Sequence, residues 1–433
     1  MKKAISLLLF LVMLLGIGAM ISVSAADNGI KVGFGQYDFT PADPVNMTGI
    51  SPRNSVGTLT PEDRLMATVV AISDADGNIA LICTVDMLKA YGATTTRQVI
   101  SKATGVPVSN IHISATHTHS APSPTESGFA DSFNDGFAAA AKQAIADMSP
   151  VTTKIGSVDV PLLNHVRHYW RQAGIVNGNN FTTDGAGKCL GSIVKSDSEL
   201  QIIRFVREDK KDVVMLNWQI HPTSASCLTD YGRAHKQYLS ADFIGYTRRY
   251  IEAQDNDTLV AYYSGASGNL TPHQLYATMR DPENVPEDTT VFGQRLAEYA
   301  LTAMKTLKTV NVSGPVKSIE LLHKAPDKSM TAISGAELGA ICIGDALAFA
   351  GHSYEMFSEH GQYVKENSPF EMTFVLTNCN GDRKYIPTIY AFDYPELFKN
   401  NPIAYEVSSC LYAQGTGEDL ANSMVAMLNV LYK

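Results

Sequence analysis

The chain lacks an excess of basic residues: 34 lysines and arginines stand against 43 acidic residues among 433, for a formal net charge of −9. Binding to nucleic acid and electrostatic docking on anionic lipid both need positive charge, so this balance argues against both. Cysteine is scarce as well, with six residues and no CxxC pair, which argues against a cysteine-only zinc site. After the N-terminal segment, no run reaches the roughly 18 apolar residues that a membrane-spanning helix needs. We therefore expect a soluble protein with no nucleic-acid partner.

The N-terminal segment has the pattern of a secretory signal, with two lysines, an apolar run and then small residues before Ala26. We predict a signal peptide over residues 1–25 and export of the remainder as a secreted protein. An exported chain can form disulfides, but Cys83 and Cys342 lie inside apolar runs and are expected to be buried thiols. Residues 26–433 contain no repeat, low-complexity tract or linker, so we expect them to form one domain.

Paired apolar runs around polar turns predict β-hairpins over 64–87, 200–220 and 336–351. Apolar residues that recur about every 3.6 positions predict helices near 93–104, 131–148, 240–255, 287–307, 355–367 and 416–431. Hairpins interspersed with helices favour an α/β (mixed α+β) fold in which mixed β-sheets are layered with helices.

Two histidines lie one residue apart in "IHISATHTHSAP", residues 111–122. The apolar residues before them predict a strand from about Asn110, and on a strand His117 and His119 would share one face. Two imidazoles on one face can bind one metal, or one can bind it while the other contacts a substrate. The alternative is that they form the polar end of a strand.

Three later residues repeat this design, in which a polar side chain appears where a strand or turn ends. His221 follows an apolar strand and precedes a proline, Glu355 lies in what the pattern predicts to be the first turn of a helix, and Tyr385 follows a turn. A catalytic zinc takes three protein ligands from histidine and carboxylate and keeps a position for water. A phenol beside the metal can bind weakly or donate to a developing oxyanion.

Each of these residues also has a purely structural explanation. His221 can be a hydrogen-bonded histidine at a strand end, Glu355 a carboxylate that complements a helix dipole, and Tyr385 a core aromatic. A glycine-rich segment, "YYSGASGNLTPHQ" at residues 262–274, is similarly open. Its backbone amides and the hydroxyl of Thr271 can face a reacting carbonyl, or the segment can be an ordinary turn.

Taken together, these segments resemble the neutral/alkaline (non-lysosomal) ceramidase family in its catalytic domain. "SATHTHSAP" is similar to the family's SATHTHSGP, "HPTSAS" to its HPTSM, and "GNLTPH" to its GDVSPN. "GHSYEMFSEHG" is similar to the family's glycine–x–x–glycine–Glu–x–Phe segment, and "KYIPTIY" to its tyrosine segment. The matches follow the family's order along the chain, from about residue 30 to about residue 430.

The resemblance implies a secreted, zinc-dependent amidohydrolase that cleaves the N-acyl amide bond of ceramide or a related N-acyl lipid through a zinc-activated water. It implies Zn²⁺ as the cofactor, with the ligands His117, His221, Glu355 and Tyr385. His119 would lie beside the metal as a catalytic and substrate-binding residue, and Arg167 and Tyr405 would bind the substrate. Thr271 stands at the position of the family's site serine, and we predict a catalytic role for it alongside Tyr385.

The sequence departs from the family pattern at several positions. Asn269 replaces an aspartate, Thr271 replaces the serine, and "SPSP" replaces a Gly–Gly after the double-histidine motif. We also expect no C-terminal immunoglobulin-like module, because the chain ends soon after its last predicted helix. Two alternatives therefore stay open: a zinc esterase or deacylase on another acyl substrate, and a non-catalytic secreted binding protein with the same fold.

A lipid substrate would bring transient contact with a membrane or micelle surface. Aromatic residues in segments 127–133 and 390–398 can form an apolar rim for that contact, or they can pack under loops.

Overall fold

A mixed nine-stranded sheet forms the centre of the computed structural model. The structure describes residues 29–49, 53–55, 57–161, 163–171, 174–177, 189–227, 238–272, 289–393 and 404–433. The predicted signal peptide, residues 1–25, lies outside the described residues. None of the helices in the described ranges has the length and hydropathy of a membrane-spanning helix.

The strands, in chain order, are β1 (Lys31–Asp38), β2 (Asn46–Met47), β3 (Arg53–Asn54), β4 (Gly57–Thr58), β5 (Met66–Ser73), β6 (Ile79–Val85), β7 (Ile111–Ala115), β8 (Ser149–Asp159), β9 (Asn164–Val166), β10 (His168–Arg171), β11 (Gly174–Asn177), β12 (Cys189–Ser192), β13 (Glu199–Arg207), β14 (Asp212–Trp218), β15 (Tyr238–Leu239), β16 (Thr258–Ser264), β17 (Leu270–Pro272), β18 (Lys308–Val310), β19 (Val316–Pro326), β20 (Ile333–Ile343), β21 (Leu347–His352), β22 (Glu355–Met356), β23 (Met372–Leu376) and β24 (Tyr385–Ile386).

The helices are α1 (Ala93–Thr104), α2 (Ala130–Ala146), α3 (Ser224–Cys227), α4 (Asp242–Gln254), α5 (Thr289–Met304), α6 (Ser358–Glu366), α7 (Ile389–Asp393), α8 (Tyr405–Ser409) and α9 (Thr416–Tyr432), with a short 3₁₀ helix at Val108–Asn110.

The central sheet has the strand order β16-β14-β13-β8-β1-β5-β6-β7, and β18 pairs with β8. The pairs β14–β16 and β6–β7 are parallel, whereas β1–β5, β8–β13 and β5–β6 are antiparallel. A second sheet has the order β19-β20-β21-β23 and also mixes both kinds of pair. The prediction of mixed sheets combined with helices is therefore confirmed.

The two sheets pack face to face, and helices cover their outer faces. On β13, Ile203 and Phe205 face the second sheet and its Phe349, while the alternate residue Ile202 packs against helix α4 at Phe243. Helices α1 and α2 cover the β5–β7 end of the central sheet, and α9 covers the second sheet. Because both faces of these strands are buried, their sequences are nearly continuous apolar runs.

The three predicted hairpins are present as β5–β6, β13–β14 and β20–β21. In the first turn the Asp74 carboxylate accepts hydrogen bonds from the backbone N–H groups of Asp76 (3.0 Å) and Asn78 (2.9 Å). In the third turn Gly344 has φ of 56°, and a Cβ there would lie 2.2 Å from the carbonyl oxygen of Ser313. The first and third turns thus each have a residue that suits their geometry.

Five of the predicted helices match the structure within a few residues, but the helix predicted from 355 begins at Ser358. The prediction that Glu355 lies in its first turn is wrong, because Glu355 pairs with a neighbouring strand instead. Cys83 and Cys342 are buried free thiols as expected, and so are Cys379 and Cys410.

Candidate metal centre

His117 lies just beyond the end of a buried strand, in an unusual backbone conformation. Strand β7 ends at Ala115, and His117 has φ of 72°. The inference that His117 and His119 share a strand face is therefore wrong, because the strand ends at Ala115, before both residues. A non-glycine residue with positive φ is strained and persists only when its surroundings hold it. Here the backbone N–H of His117 donates to the carbonyl oxygen of Met87 at 2.8 Å.

The ring of His117 is held by its Nδ1 atom. This nitrogen lies 2.6 Å from the carbonyl oxygen of Leu88, with the side-chain amide of Asn378 at 3.1 Å. A carbonyl oxygen only accepts hydrogen bonds, so Nδ1 carries a ring proton and Nε2 is the nitrogen that faces the site. Nε2 is buried and makes no hydrogen bond within the described part of the chain. Histidines that bind metals commonly have this arrangement, in which one ring nitrogen donates to a carbonyl oxygen and the other is left for a cation.

His221 has the same arrangement on the opposite side of the site. Its Nδ1 lies 2.8 Å from the carbonyl oxygen of Ser267 and 3.1 Å from that of Leu270, so the ring proton is on Nδ1. Its Nε2 lies 3.1 Å from the phenol oxygen of Tyr385. Burial lowers the pKa of His221 well below its usual value, and the Arg167 guanidinium lowers it further. The neutral imidazole is the form that binds a metal.

The three imidazoles of His117, His119 and His221 form a cluster. One ring nitrogen from each lies within 4.8 Å of the others. The ring centroid of His117 lies 5.0 Å from that of His119 and 4.8 Å from that of His221. The backbone N–H of His119 donates to the carbonyl oxygen of Pro222 at 3.4 Å, which connects the two histidine segments. Such a set of nitrogens is suited to a divalent transition metal.

Glu355 brings a carboxylate to this cluster from a two-stranded parallel ladder. Strand β22 pairs with β24 so that Glu355 lies directly opposite Tyr385. Its Oε2 lies 3.4 Å from Nε2 of His117 and 3.9 Å from Nε2 of His221. Burial alone would raise the pKa of Glu355, but the His117 imidazole and the Lys89 ammonium hold it well below its usual value. The structure thus brings together the four predicted ligands.

Lys89 is a site residue that the sequence analysis missed. Its ammonium lies 3.0 Å from Oε1 of Glu355 and donates to the carbonyl oxygen of Arg383 at 2.7 Å. The side chain is buried beside the site, although lysine is rarely buried without a partner. A lysine four residues after the end of β6, directly after the apolar pair Met87–Leu88, was the available signal.

The buried ion pair of Arg167 and Glu406 lies next to Tyr385. Nη2 of Arg167 lies 3.3 Å from the phenol oxygen of Tyr385 and donates to the carbonyl oxygen of Gly268 at 2.7 Å. Nε of Arg167 pairs with one oxygen of Glu406, and the other oxygen lies 3.0 Å from Nε2 of His168. Burial alone would raise the pKa of Glu406, but Arg167 and His168 lower it to about 2. Glu406 and His168 were not predicted, because nothing in their local pattern marks them.

Asn269 joins this network to helix α6. Its Oδ1 accepts a hydrogen bond from the backbone N–H of Ser358 at 2.9 Å, and its Nδ2 donates to Oε2 of Glu359 at 2.8 Å. Nδ2 also donates to the phenol oxygen of Tyr390 at 3.3 Å, and that oxygen lies 3.0 Å from Nδ1 of His168. The amide therefore serves as donor and acceptor at once, which a carboxylate cannot do.

The remaining predicted residues lie at the edge of this arrangement. Tyr405 is 41% exposed, and its ring centroid lies 5.8 Å from that of Tyr385. Thr271 is buried on β17, next to Leu270, whose carbonyl oxygen holds the His221 ring. Tyr405 thus contacts the predicted ligand Tyr385, and Thr271 is adjacent in sequence to a residue that holds His221.

The aromatic residues proposed for an apolar rim are only partly described. Phe133 is buried, and its ring centroid lies 5.2 Å from that of Phe39. Phe129 packs against the same core cluster. The first segment therefore packs in the core and forms no rim, and residues 394–398 of the second lie outside the described residues.

Comparisons with known proteins identify the fold. No protein-family model and no curated protein matches this sequence. Among solved structures, neutral ceramidase from Pseudomonas aeruginosa matches with a TM-score of 0.71 and 17% identity, over 94% of this chain and 75% of that chain. A ceramidase complexed with C2 matches with the same TM-score, identity and coverage. The resemblance read from the short motifs is therefore confirmed at the level of the fold, which is that of neutral ceramidase.

Proposed function

We propose that this protein is a zinc-dependent amidohydrolase that cleaves the N-acyl amide bond of ceramide or a related N-acyl lipid. The observation that carries the proposal is the convergence of two imidazole Nε2 atoms, one carboxylate oxygen and one phenol, contributed by distant segments of the chain. Both imidazoles direct their Nε2 atoms into the same space because their Nδ1 atoms are hydrogen-bonded to carbonyl oxygens. The shared fold with neutral ceramidase supports the choice of substrate class.

The residues present fit a zinc ion. The buried Nε2 of His117 makes no hydrogen bond in the described ranges, and neutral imidazole with carboxylate is the usual donor set of catalytic zinc. We assign the metal to His117, His221 and Glu355, with Tyr385 adjacent or as a weak fourth ligand. When bound, zinc supplies a hydroxide nucleophile at neutral pH and polarises the acyl oxygen.

Tyr385 is suited to stabilise negative charge on the acyl oxygen. In this structure its phenol lies against Nε2 of His221 and Nη2 of Arg167. With Nε2 of His221 committed to a metal, the phenol proton of Tyr385 would be left to donate to the acyl oxygen of the substrate. A fixed donor of this kind, in a site shielded from water, is an effective oxyanion stabiliser.

The other proposed roles surround this centre. His119, beside the metal ligands, would contact the substrate and move a proton toward the leaving amine. Tyr405, half exposed next to Tyr385, would contact the acyl or amine portion. Arg167 would contact the substrate from its position beside Tyr385. Thr271 would supply a hydroxyl next to the segment that holds His221. Contact with a membrane or micelle, and export of residues 26–433 as a single catalytic domain, stay predictions.

A zinc determination paired with a hydrolysis assay tests the proposal. We expect about one zinc per chain and release of fatty acid from N-acyl-sphingosine. His117→Ala should lose most of the zinc and the activity. His323→Ala is the matched control, because His323 is also buried and hydrogen-bonded but lies outside the site.

Four results would redirect the assignment. Hydrolysis of simple acyl esters alone would favour an esterase or deacylase with the same centre. Absence of zinc even after zinc loading would reject the metal centre. Hydrolysis of neither N-acyl-sphingosine nor acyl esters by the zinc-loaded wild type would leave the non-catalytic binding protein as the better explanation, and wild-type zinc content and activity in His117→Ala would exclude His117 as a ligand.

A further inference from the structure

The two oxygens of Glu355 face different partners. Oε2 points at the imidazoles, 3.4 Å from Nε2 of His117 and 3.9 Å from Nε2 of His221. Oε1 points away from them and lies 3.0 Å from the ammonium of Lys89. Both side chains are largely buried, at 10% exposure for Lys89 and 8% for Glu355. The pair is therefore shielded from the solvent that weakens ion pairs on a protein surface.

Lys89 belongs to a short segment that holds two of the proposed ligands. Residues 87–89 follow β6, and the first two of them fix His117 through their carbonyl oxygens, one on its backbone and one on its ring. The third, Lys89, fixes Glu355 and is itself anchored by the carbonyl oxygen of Arg383 at 2.7 Å. A single rigid stretch thus sets the position of an imidazole and the rotation of a carboxylate.

We propose that Lys89 is a positioning residue that restricts Glu355 to one metal-binding oxygen, Oε2. A carboxylate that binds through both oxygens would occupy two positions on the cation. Catalytic zinc with three protein ligands needs one of those positions for water. The ammonium on Oε1 blocks the two-oxygen mode and keeps that position open. This inference rests on the proposed metal-dependent function, and it assigns a role to a residue outside the ligand set.

The visible absorption spectrum of the Co²⁺-loaded protein reports the coordination number directly, since four-coordinate Co²⁺ absorbs far more strongly than five- or six-coordinate Co²⁺. We expect Lys89→Met to weaken the Co²⁺ absorption, because Glu355 becomes free to bind through both oxygens. Its kcat should fall about 10- to 100-fold with little change in KM, the usual loss when a supporting partner of a metal ligand is removed.

Lys365→Met is the matched control. Lys365 has a side chain that is only 9% exposed and also pairs with two carboxylates, Asp197 at 2.6 Å and Glu199 at 3.0 Å, but it lies on α6 away from the imidazoles. Its removal should lower stability and leave the Co²⁺ spectrum and kcat unchanged. An unchanged Co²⁺ spectrum in Lys89→Met would overturn the proposal.

A crystal structure of the zinc-loaded wild type tests the same point if Lys89→Met does not fold. Glu355 should bind through Oε2 alone, with Lys89 still on Oε1, and binding through both oxygens would overturn the proposal. The two hypotheses fail separately. If Lys89→Met changes the Co²⁺ spectrum but the wild type does not hydrolyse ceramide, the positioning role stands and the proposed function fails. If the wild type hydrolyses ceramide but Lys89→Met leaves the Co²⁺ spectrum unchanged, the proposed function stands and the positioning role fails.

Discussion

Glu355 and Tyr385 lie directly opposite each other in a parallel ladder of only two residues per strand. Opposite residues of neighbouring strands project to the same face, so this pairing delivers a carboxylate and a phenol to one point. The ladder is anchored from the glycine-rich segment, where the backbone N–H of Gly268 donates to the carbonyl oxygen of Met356 at 2.7 Å. A very short element can thus position two functional groups because its neighbours hold it.

Replacing the Tyr385 phenol should impair catalysis more than metal binding. In Tyr385→Phe we expect kcat/KM to fall about 10²- to 10³-fold, the typical loss of one oxyanion donor, with zinc content near that of the wild type. Zinc analysis and steady-state kinetics on the same preparation measure both quantities. Loss of the zinc together with the activity would instead make the phenol an essential ligand.

Tyr263→Phe is the control for that variant. Tyr263 is also fully buried, and its hydroxyl donates to the carbonyl oxygen of Ile82 at 2.8 Å, inside the core between the sheets. Its loss should reduce the free energy of unfolding by about 1–3 kcal/mol, since a buried carbonyl loses its donor, and should leave kcat/KM unchanged.

Removing the charge of Glu406 should destabilise the fold. Glu406→Gln leaves the buried Arg167 guanidinium without its counter-charge, and breaking a buried pair in this way costs about 3–5 kcal/mol. Urea unfolding monitored by circular dichroism measures the difference. The exposed Glu366, exchanged for Gln, should change stability by no more than about 0.5 kcal/mol. Equal stability of the two variants would contradict the importance of the Arg167–Glu406 pair.

Asn269 should not tolerate the aspartate found at this place in the resembling family. In Asn269→Asp, a carboxylate would replace the amide that donates to Glu359 at 2.8 Å. Two buried acceptors would then face each other, and we expect a loss of about 1–3 kcal/mol in unfolding free energy. The second change Glu359→Gln restores a donor between the two side chains and should recover most of the loss. Additive effects in this double-mutant cycle would disprove the direct interaction.

Two buried histidines outside the site should make the protein sensitive to acid. Burial lowers the pKa of His112 and of His352 from 6.5 to about 3. Between these values the unfolded chain binds protons that the folded chain does not. Their contribution to stability is therefore complete above pH 6.5 and is lost as the pH falls toward 3, by about 1.4 kcal/mol per pH unit for each residue.

The variant His352→Leu isolates one of these contributions. Its unfolding free energy should decline less steeply than that of the wild type between about pH 6 and pH 4, by about 1.4 kcal/mol per pH unit. Above about pH 8 the unfolding free energies of the two proteins should change with pH at the same rate, because the His352 imidazole does not titrate there in the folded or the unfolded wild type. Identical slopes across the acid range would show that His352 is not held neutral.

The hydrophobic periodicity of the sequence was sufficient to predict most of the strands and helices. The hairpin around Asp74–Asn78 and the helix over 93–104 follow from patterns within a few residues, and the structure has both. The same reasoning failed at Glu355 and at His117. Glu355 begins a two-residue strand and His117 lies just beyond the end of β7, and at both places contacts with distant segments override the local preference.

Sequence by itself therefore determined which segments form strands and helices, and which polar residues follow them. Only the tertiary structure decided how these residues meet, because the contacts that orient them join segments far apart in the chain. Lys89 reaches Glu355, and Arg167 reaches Glu406, across the fold. A buried charge is stable only where a partner of opposite sign lies in contact, and no pattern along the chain encodes that distance.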